Sequence, residues 1–193
     1  MTVAIIRYNS GNTRSVCNAL ERLGLSPVVT DRVEDIQQAD KVIFPGVGEA
    51  QSTMNYLRER KLDRLIKDLK QPVLGVCLGM QLFGKHSDEN DTPCLGIIDF
   101  EVTRFKTENS VKVPHVGWNQ LVQSKEWLLE FENENVYFVH SYFVPVGEYT
   151  VACVDYGTPF TAALQQNNFY GVQFHPEKSS ETGQQVLLKF LNL

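Results

Sequence analysis

Nowhere in the sequence does an apolar stretch approach the roughly 20 residues that a helix needs to span a bilayer, so no membrane-crossing helix is expected. Lysine and arginine never gather into a run. Eighteen basic residues stand against 23 acidic ones, a net charge of −5, and nothing tracks a phosphate backbone, so nucleic acid is not an expected partner. Cys17, Cys77, Cys94 and Cys153 are widely scattered with no C-x-x-C spacing, which argues against a zinc site or a disulfide framework. No metal and no cofactor is expected. The opening residues, Met1 to Arg7, lack the charged region and cleavage site of a signal peptide, and reduced thiols fit a cytoplasmic chain. Internal repeats, low-complexity tracts and linkers are also missing. With 193 residues, 42% of them hydrophobic, the chain is long enough for one well-buried core and too short for two ordinary enzyme domains. A single domain over residues 1–193 is the expectation.

Hydrophobic patterning predicts an alternation of strands and helices. Val3 to Tyr8 is a β-branched, mostly apolar run, followed by turn chemistry at Asn9-Ser10-Gly11-Asn12. From Thr13, apolar Val16, Leu20 and Leu23 recur at helical spacing, and Gly24 stands where a helix commonly ends. Short strands are expected at Pro27-Val28-Val29 and Val42-Ile43-Phe44, and one or two surface helices between Glu49 and Leu69. His86 to Pro93, rich in Ser, Asp, Glu and Asn, reads as an exposed loop. Leu95 to Phe105, Val111 to Val122, Val136 to Val139, Val151 to Val154, Thr161 to Leu164 and Phe169 to Phe174 read as strands. Ser179 and Ser180 offer caps for a last helix with Val186, Leu187, Phe190 and Leu191 on its apolar side. The alternation is the pattern of an α/β fold with a mostly parallel central sheet flanked by helices.

The densest chemical signal is Pro72-Val73-Leu74-Gly75-Val76-Cys77-Leu78-Gly79-Met80-Gln81, an apolar strand that turns sharply at a cysteine and enters a helix. Small residues two before and two after the cysteine let strand and helix approach, and the first helical N–H groups and the helix dipole favour a thiolate. A lone cysteine is otherwise most often one more buried small hydrophobe. Gly171 to Glu177 adds a second apolar strand ending in His-x-Glu. In an extended segment residues two apart share a side, so Glu177 is placed to orient His175 as a base for Cys77. His140 has no carboxylate two residues away and is the weaker base. Pro45-Gly46-Val47-Gly48, directly after a predicted strand, is either an ordinary turn or a source of uncovered N–H groups for an oxyanion hole, with Leu78 N–H as a second donor. Trp118, within Pro114 to Asn119, either finishes the core or meets a partner.

Gly75 to Gln81, Pro45 to Gly48 and Phe174-His175-Pro176-Glu177 together resemble the class I (triad) glutamine amidotransferases. Pro114 to Asn119, Tyr137 to Tyr142 and His175 to Ser180 further resemble the HisH family of glutaminase subunits of imidazole glycerol phosphate synthase. The resemblance runs from Val3 to Leu191, with local departures at Asn9-Ser10 and from Phe83 to Leu95 that touch loop contacts and docking rather than the triad. It implies a flavodoxin-like sheet with additional strands and a catalytic triad of Cys77, His175 and Glu177. It also implies an oxyanion site at Gly46, Val47 and Leu78, and glutamine held by Gly48, Gln81, Ser141 and Tyr142. A heterodimer with a (β/α)8 cyclase subunit, HisF, would place Trp118 and Lys178 near the interface. In that family the Gly46-Val47 peptide turns its N–H toward the oxyanion only when the loaded partner is docked. The triad itself is blind to the acceptor of ammonia. Glutaminase chemistry for another synthase, such as one in nucleotide-sugar amidation, and a self-sufficient Cys-His-Glu amidase remain alternatives.

Overall fold

The computed structural model describes residues 1–8, 12–106 and 111–193. The turn expected at Asn9-Ser10-Gly11-Asn12 lies outside the described residues except for Asn12, which stands at the N-cap of the first helix. Four short strands, β1 (Val3–Ile6), β2 (Val28–Thr30), β3 (Lys41–Phe44) and β4 (Val73–Val76), alternate with α1 (Thr13–Arg22), α2 (Val33–Gln38), α3 (Ala50–Glu59) and α4 (Leu62–Asp68). A one-turn helix, α5 (Leu78–Gln81), follows β4 directly. The second half holds β5 (His86–Ser87), β6 (Thr92–Pro93), β7 (Glu101–Arg104), β8 (His115–Gln120), β9 (Asn135–His140) and β10 (Tyr142–Phe143). It closes with β11 (Thr150–Asp155), β12 (Pro159–Gln166), β13 (Phe169–Val172) and α6 (Ser180–Leu191).

The central sheet has seven strands in the order β11-β12-β13-β4-β3-β1-β2. From β2 to β13 every pairing is parallel, and β12 and β11 continue the sheet antiparallel. A parallel sheet must be covered on both faces, and the side chains divide accordingly. Val3 and Ile5 of β1 join Val16 and Leu20 of α1 and Val186, Leu187 and Phe190 of α6 in one apolar cluster. Ala4 and Ile6, pointing the other way, join Ile36 of α2, Met54 and Leu57 of α3 and Leu62, Leu65 and Ile66 of α4. Each fully buried aliphatic side chain contributes about 1.5–3 kcal/mol, and this two-sided burial fixes strand register, since a slip of one residue would exchange the faces.

Outside the sheet, β8 and β9 form an antiparallel hairpin-like pair, and β10, β7, β5 and β6 form a small four-stranded sheet. Two expectations need correction here. His86 to Pro93 is not simply an exposed loop, because Ser87 and Thr92 are buried and pair through β5 and β6. Leu95 to Phe105 is strand only at Glu101–Arg104, with Leu95, Ile98 and Phe100 buried from irregular backbone. Helix α2, a polar segment with Ile36 as its one buried residue, gave too little periodicity to be read from sequence. Among the described residues no helix is long and apolar enough to cross a membrane.

Candidate active site

Three adjacent strands deliver the expected site residues to one end of the sheet. β4 lies between β3 and β13, with Leu74 beside Ile43 and Val76 beside Val172. The chain beyond β3 is Pro45 to Gly48, the chain beyond β4 is Cys77, and the chain beyond β13 runs to His175. Ligands in open α/β sheets bind at these carboxyl ends.

Cys77 sits at φ 53°, ψ −108°, a conformation that L residues rarely adopt and that tight anchoring must sustain. Its N–H donates to Val172 O at 2.7 Å. The close approach behind it demands glycine: a Cβ on Gly79 would lie 2.0 Å from Phe44 O. At Leu78–Gln81, α5 is a single turn, too short to supply the extended helix dipole that the sequence reading invoked beside the first N–H groups.

His175 is fully buried and its Nδ1 lies 2.7 Å from Glu177 Oε1. The two do not share a side of an extended strand as the sequence suggested. Residues Pro176–Lys178 form a 3₁₀ turn, and the tight turn brings the Glu177 carboxylate back onto the ring. Because the carboxylate accepts, Nδ1 carries the proton, which leaves the buried Nε2 as the ring nitrogen available to Cys77. Burial is the largest influence on His175 and disfavours its charge. The facing Cys77 and Glu177 outweigh it and raise the imidazole pKa. Glu177 is moved the other way: burial opposes its ionisation, but hydrogen bonds from His175 and Asn12 hold it below the ordinary carboxylate range.

Two residues that support this pair were not legible as site residues. Asn12 Nδ2 donates to Glu177 Oε1 at 2.5 Å, across 165 residues of sequence, and makes no capping bond to α1. Ser179, expected as a helix cap, makes no such bond either. Its Oγ donates to His175 O at 2.7 Å and accepts from Tyr137 N–H at 2.9 Å, so it ties the base segment to β9.

A pocket of about 310 Å³ opens over Cys77, at the small end for ligand sites and matched to an amino acid. It is lined by Gly46, Val47, Gly48, Leu78, Gln81, Ser141 and Tyr142, every residue expected to bind substrate or oxyanion, together with Glu89 and His140. His175 and Glu177 do not line this pocket. Leu78 N–H, one of the expected oxyanion donors, donates to Gly46 O at 3.4 Å. Glu89, in the segment expected to be a plain loop, brings a half-buried carboxylate whose pKa burial raises and whose Oε2 accepts from Ala50 N–H.

His140 is committed elsewhere. Its Nδ1 lies 2.7 Å from Tyr142 O, which only accepts, so Nδ1 donates and Nε2 must accept from His115 Nδ1 at 3.0 Å. Burial pushes His140 down to about 3 and His115 down to about 4. A depressed folded pKa gives stability present above the unfolded value, about 6.5, and lost as pH falls toward the folded one. Between pH 6.5 and 4.5 each neutral imidazole is expected to subtract up to about 1.4 kcal/mol per pH unit. His175, with its raised pKa, has the opposite sign: its contribution is present below about 6.5 and lost as pH rises through the folded value. Urea melts from pH 7 to 4.5 should show a shallower acid slope for His115→Phe than for the unmodified chain, and parallel slopes would refute the assignment.

Trp118 does not finish the core. It is 51% exposed on β8 beside exposed Val116, and its ring meets Tyr137 edge-on at 5.9 Å. Lys178 is exposed at the end of the turn that carries Glu177.

The glutamine amidotransferase class-I model matches residues 4–192. The imidazole glycerol phosphate synthase subunit HisH of Bacteroides thetaiotaomicron is 55% identical over 196 residues, covering 100% of both chains. The subunit of the same name from Pectobacterium atrosepticum is 48% identical with the same coverage. Among solved structures, PurLQS from Thermotoga maritima superposes with a TM-score of 0.69 over 99% of this chain and 97% of that one, at 18% identity, a likeness of fold. With the family match spanning almost its whole length and such relatives end to end, this chain belongs to the class-I glutamine amidotransferases.

Proposed function

We propose that this chain is the glutaminase subunit of imidazole glycerol phosphate synthase in histidine biosynthesis, acting in the cytoplasm as one amidotransferase domain over residues 1–193. The observation that carries the reading is end-to-end similarity to HisH subunits at up to 55% identity, in a chain whose Cys77, His175 and Glu177 meet at the carboxyl ends of β4 and β13. Cys77 thiolate attacks the side-chain amide carbon of glutamine, and the oxyanion is received by the N–H groups of Val47 and Leu78. His175, oriented by Glu177, gives its proton to the departing ammonia. The same imidazole then takes a proton from water, which opens the γ-glutamyl thioester and releases glutamate. Gly48, Gln81, Ser141 and Tyr142 hold the substrate, and the Glu89 carboxylate complements its α-ammonium.

Ammonia passes to a (β/α)8 cyclase subunit, HisF, which converts PRFAR to imidazole glycerol phosphate and AICAR. Docking falls on the exposed stripe of Val116 and Trp118 and on Lys178. The bond from Leu78 N–H to Gly46 O favours this reading over a self-sufficient amidase, because a site that works alone has no use for a carbonyl on an oxyanion donor. Glutamate production from glutamine is the test, measured for the chain alone and with equimolar cyclase and PRFAR. A low rate alone that rises by orders of magnitude in the loaded complex is expected. A high rate indifferent to the cyclase would assign the chain to independent amide hydrolysis or another pathway.

A further inference from the structure

Gln173, one residue beyond β13, is completely buried and points at the nucleophile, with Nε2 3.5 Å from Cys77 Sγ. An amide beside a sulfur is informative only if its orientation is known, since the nitrogen donates and the oxygen repels. Here the orientation is fixed from a distance. Tyr142 O accepts from Gln81 at 2.8 Å, and because a backbone carbonyl only accepts, that Gln81 atom is Nε2. The same Nε2 lies 2.9 Å from Gln173, so the Gln173 atom facing it must be Oε1. Its other end, the N–H group, is therefore the one turned to the sulfur. Both Gln81 N–H bonds are committed in this way, and only the Gln81 oxygen is left for a ligand.

We propose that Gln173 is a further catalytic residue: its side-chain N–H donates to the Cys77 thiolate, and Gln81, anchored on Tyr142 O, prevents the amide from turning over. A hydrogen bond to a charged acceptor is stronger than one to a neutral group, so the donor favours thiolate over thiol. It acts twice in the cycle. Before attack it holds the sulfur anionic while His175 carries the proton. When water opens the thioester, the C–S bond breaks with its electron pair on sulfur, and the Gln173 N–H meets the returning charge. The inference deepens the glutaminase reading and rests on Cys77 as nucleophile.

Alkylation of Cys77 by iodoacetamide, followed by mass spectrometry across pH 5 to 10 on the isolated chain, tests it without glutamine or partner. The titratable groups of the unmodified chain around the sulfur, His175 with Glu177 and, in the pocket wall, His140, Tyr142 and Glu89, are kept in both variants; Gln173→Glu adds one carboxylate and Gln173→Met adds none. Gln173→Glu, which presents a carboxylate in place of the donor, should slow alkylation at pH 7 by about tenfold and move the rate–pH profile upward. Gln173→Met, which fills similar space without a donor, should move it in the same direction. Folded variants with an unchanged profile would overturn the proposal. If neither variant folds, the ¹⁵N resonance of the Gln173 side-chain amide in the unmutated chain decides. Movement with the Cys77 titration that disappears in Cys77→Ala supports the donor role, and a resonance indifferent to that titration overturns it. Glutamine turnover surviving in Cys77→Ser would instead break the underlying nucleophile reading, so the two failures are distinct.

Discussion

Cys77→Ser is expected to lower glutamine hydrolysis in the loaded complex by at least about 10³-fold while leaving the fold and the complex intact. Serine matches the cysteine in size, and the elbow is held by backbone contacts that do not involve the side chain, the N–H to Val172 O bond among them. The loss is chemical. A hydroxyl is far less acidic than a thiol, and the base is arranged to hold charge next to a thiolate: His175 and Glu177 bias each other toward an ion pair when the sulfur is anionic. His175→Asn should cost a similar factor, and the double variant little more than either single one, because the groups act as a unit. Steady-state glutamate release by the three variants checks this. Independent, multiplying effects would show that the two residues do not share a step.

What the sequence revealed and what it hid divide along one physical line. Cys77 and its flanking glycines were legible because an elbow needs small residues at fixed short spacing, and His175 with Glu177 because a base and its orienter lie two residues apart. The geometry behind that spacing was misjudged, since a 3₁₀ turn rather than an extended strand unites the pair. Asn12, Gln173 and Glu89 were invisible for the opposite reason. Asn12 meets Glu177 across 165 residues and Gln173 meets Cys77 across 96, so no local pattern marks either. Ser179 carried a misleading signal: at the head of a helix it reads as a cap, yet it makes no capping bond, and its Oγ donates to His175 O instead. Strand order was likewise hidden. Only pairing places β13, from the end of the chain, against β4 and brings the His175 segment to Cys77.

Val47→Pro is expected to reduce kcat in the loaded complex by about 10²–10³-fold, with KM for glutamine and assembly with the cyclase little changed, whereas Val47→Ala should stay near the unmodified rate. Proline deletes the one N–H that the proposed mechanism asks of residue 47, and removal of an oxyanion donor costs that much elsewhere. In the proposed mechanism the donor comes into use only after a change in the resting geometry. Gly46 O occupies Leu78 N–H at 3.4 Å, longer than the usual 2.9–3.0 Å. A net worth of about 1 kcal/mol for such a bond would hold back activity by only about fivefold. Activation by orders of magnitude requires a bias nearer 4 kcal/mol, since each tenfold step is about 1.4 kcal/mol. The remainder must reside in the backbone of this loop, where Gly48 already holds φ at +131°, a conformation closed to most side chains, and a turn of the Gly46-Val47 peptide must be absorbed by its neighbours. A loaded partner then has to favour the turned form by that difference, which a ligand with equal affinity for both forms cannot do. Steady-state kinetics of Val47→Pro and Val47→Ala with cyclase and PRFAR separate the outcomes. Full activity in the proline variant would mean that residue 47 never supplies the oxyanion donor.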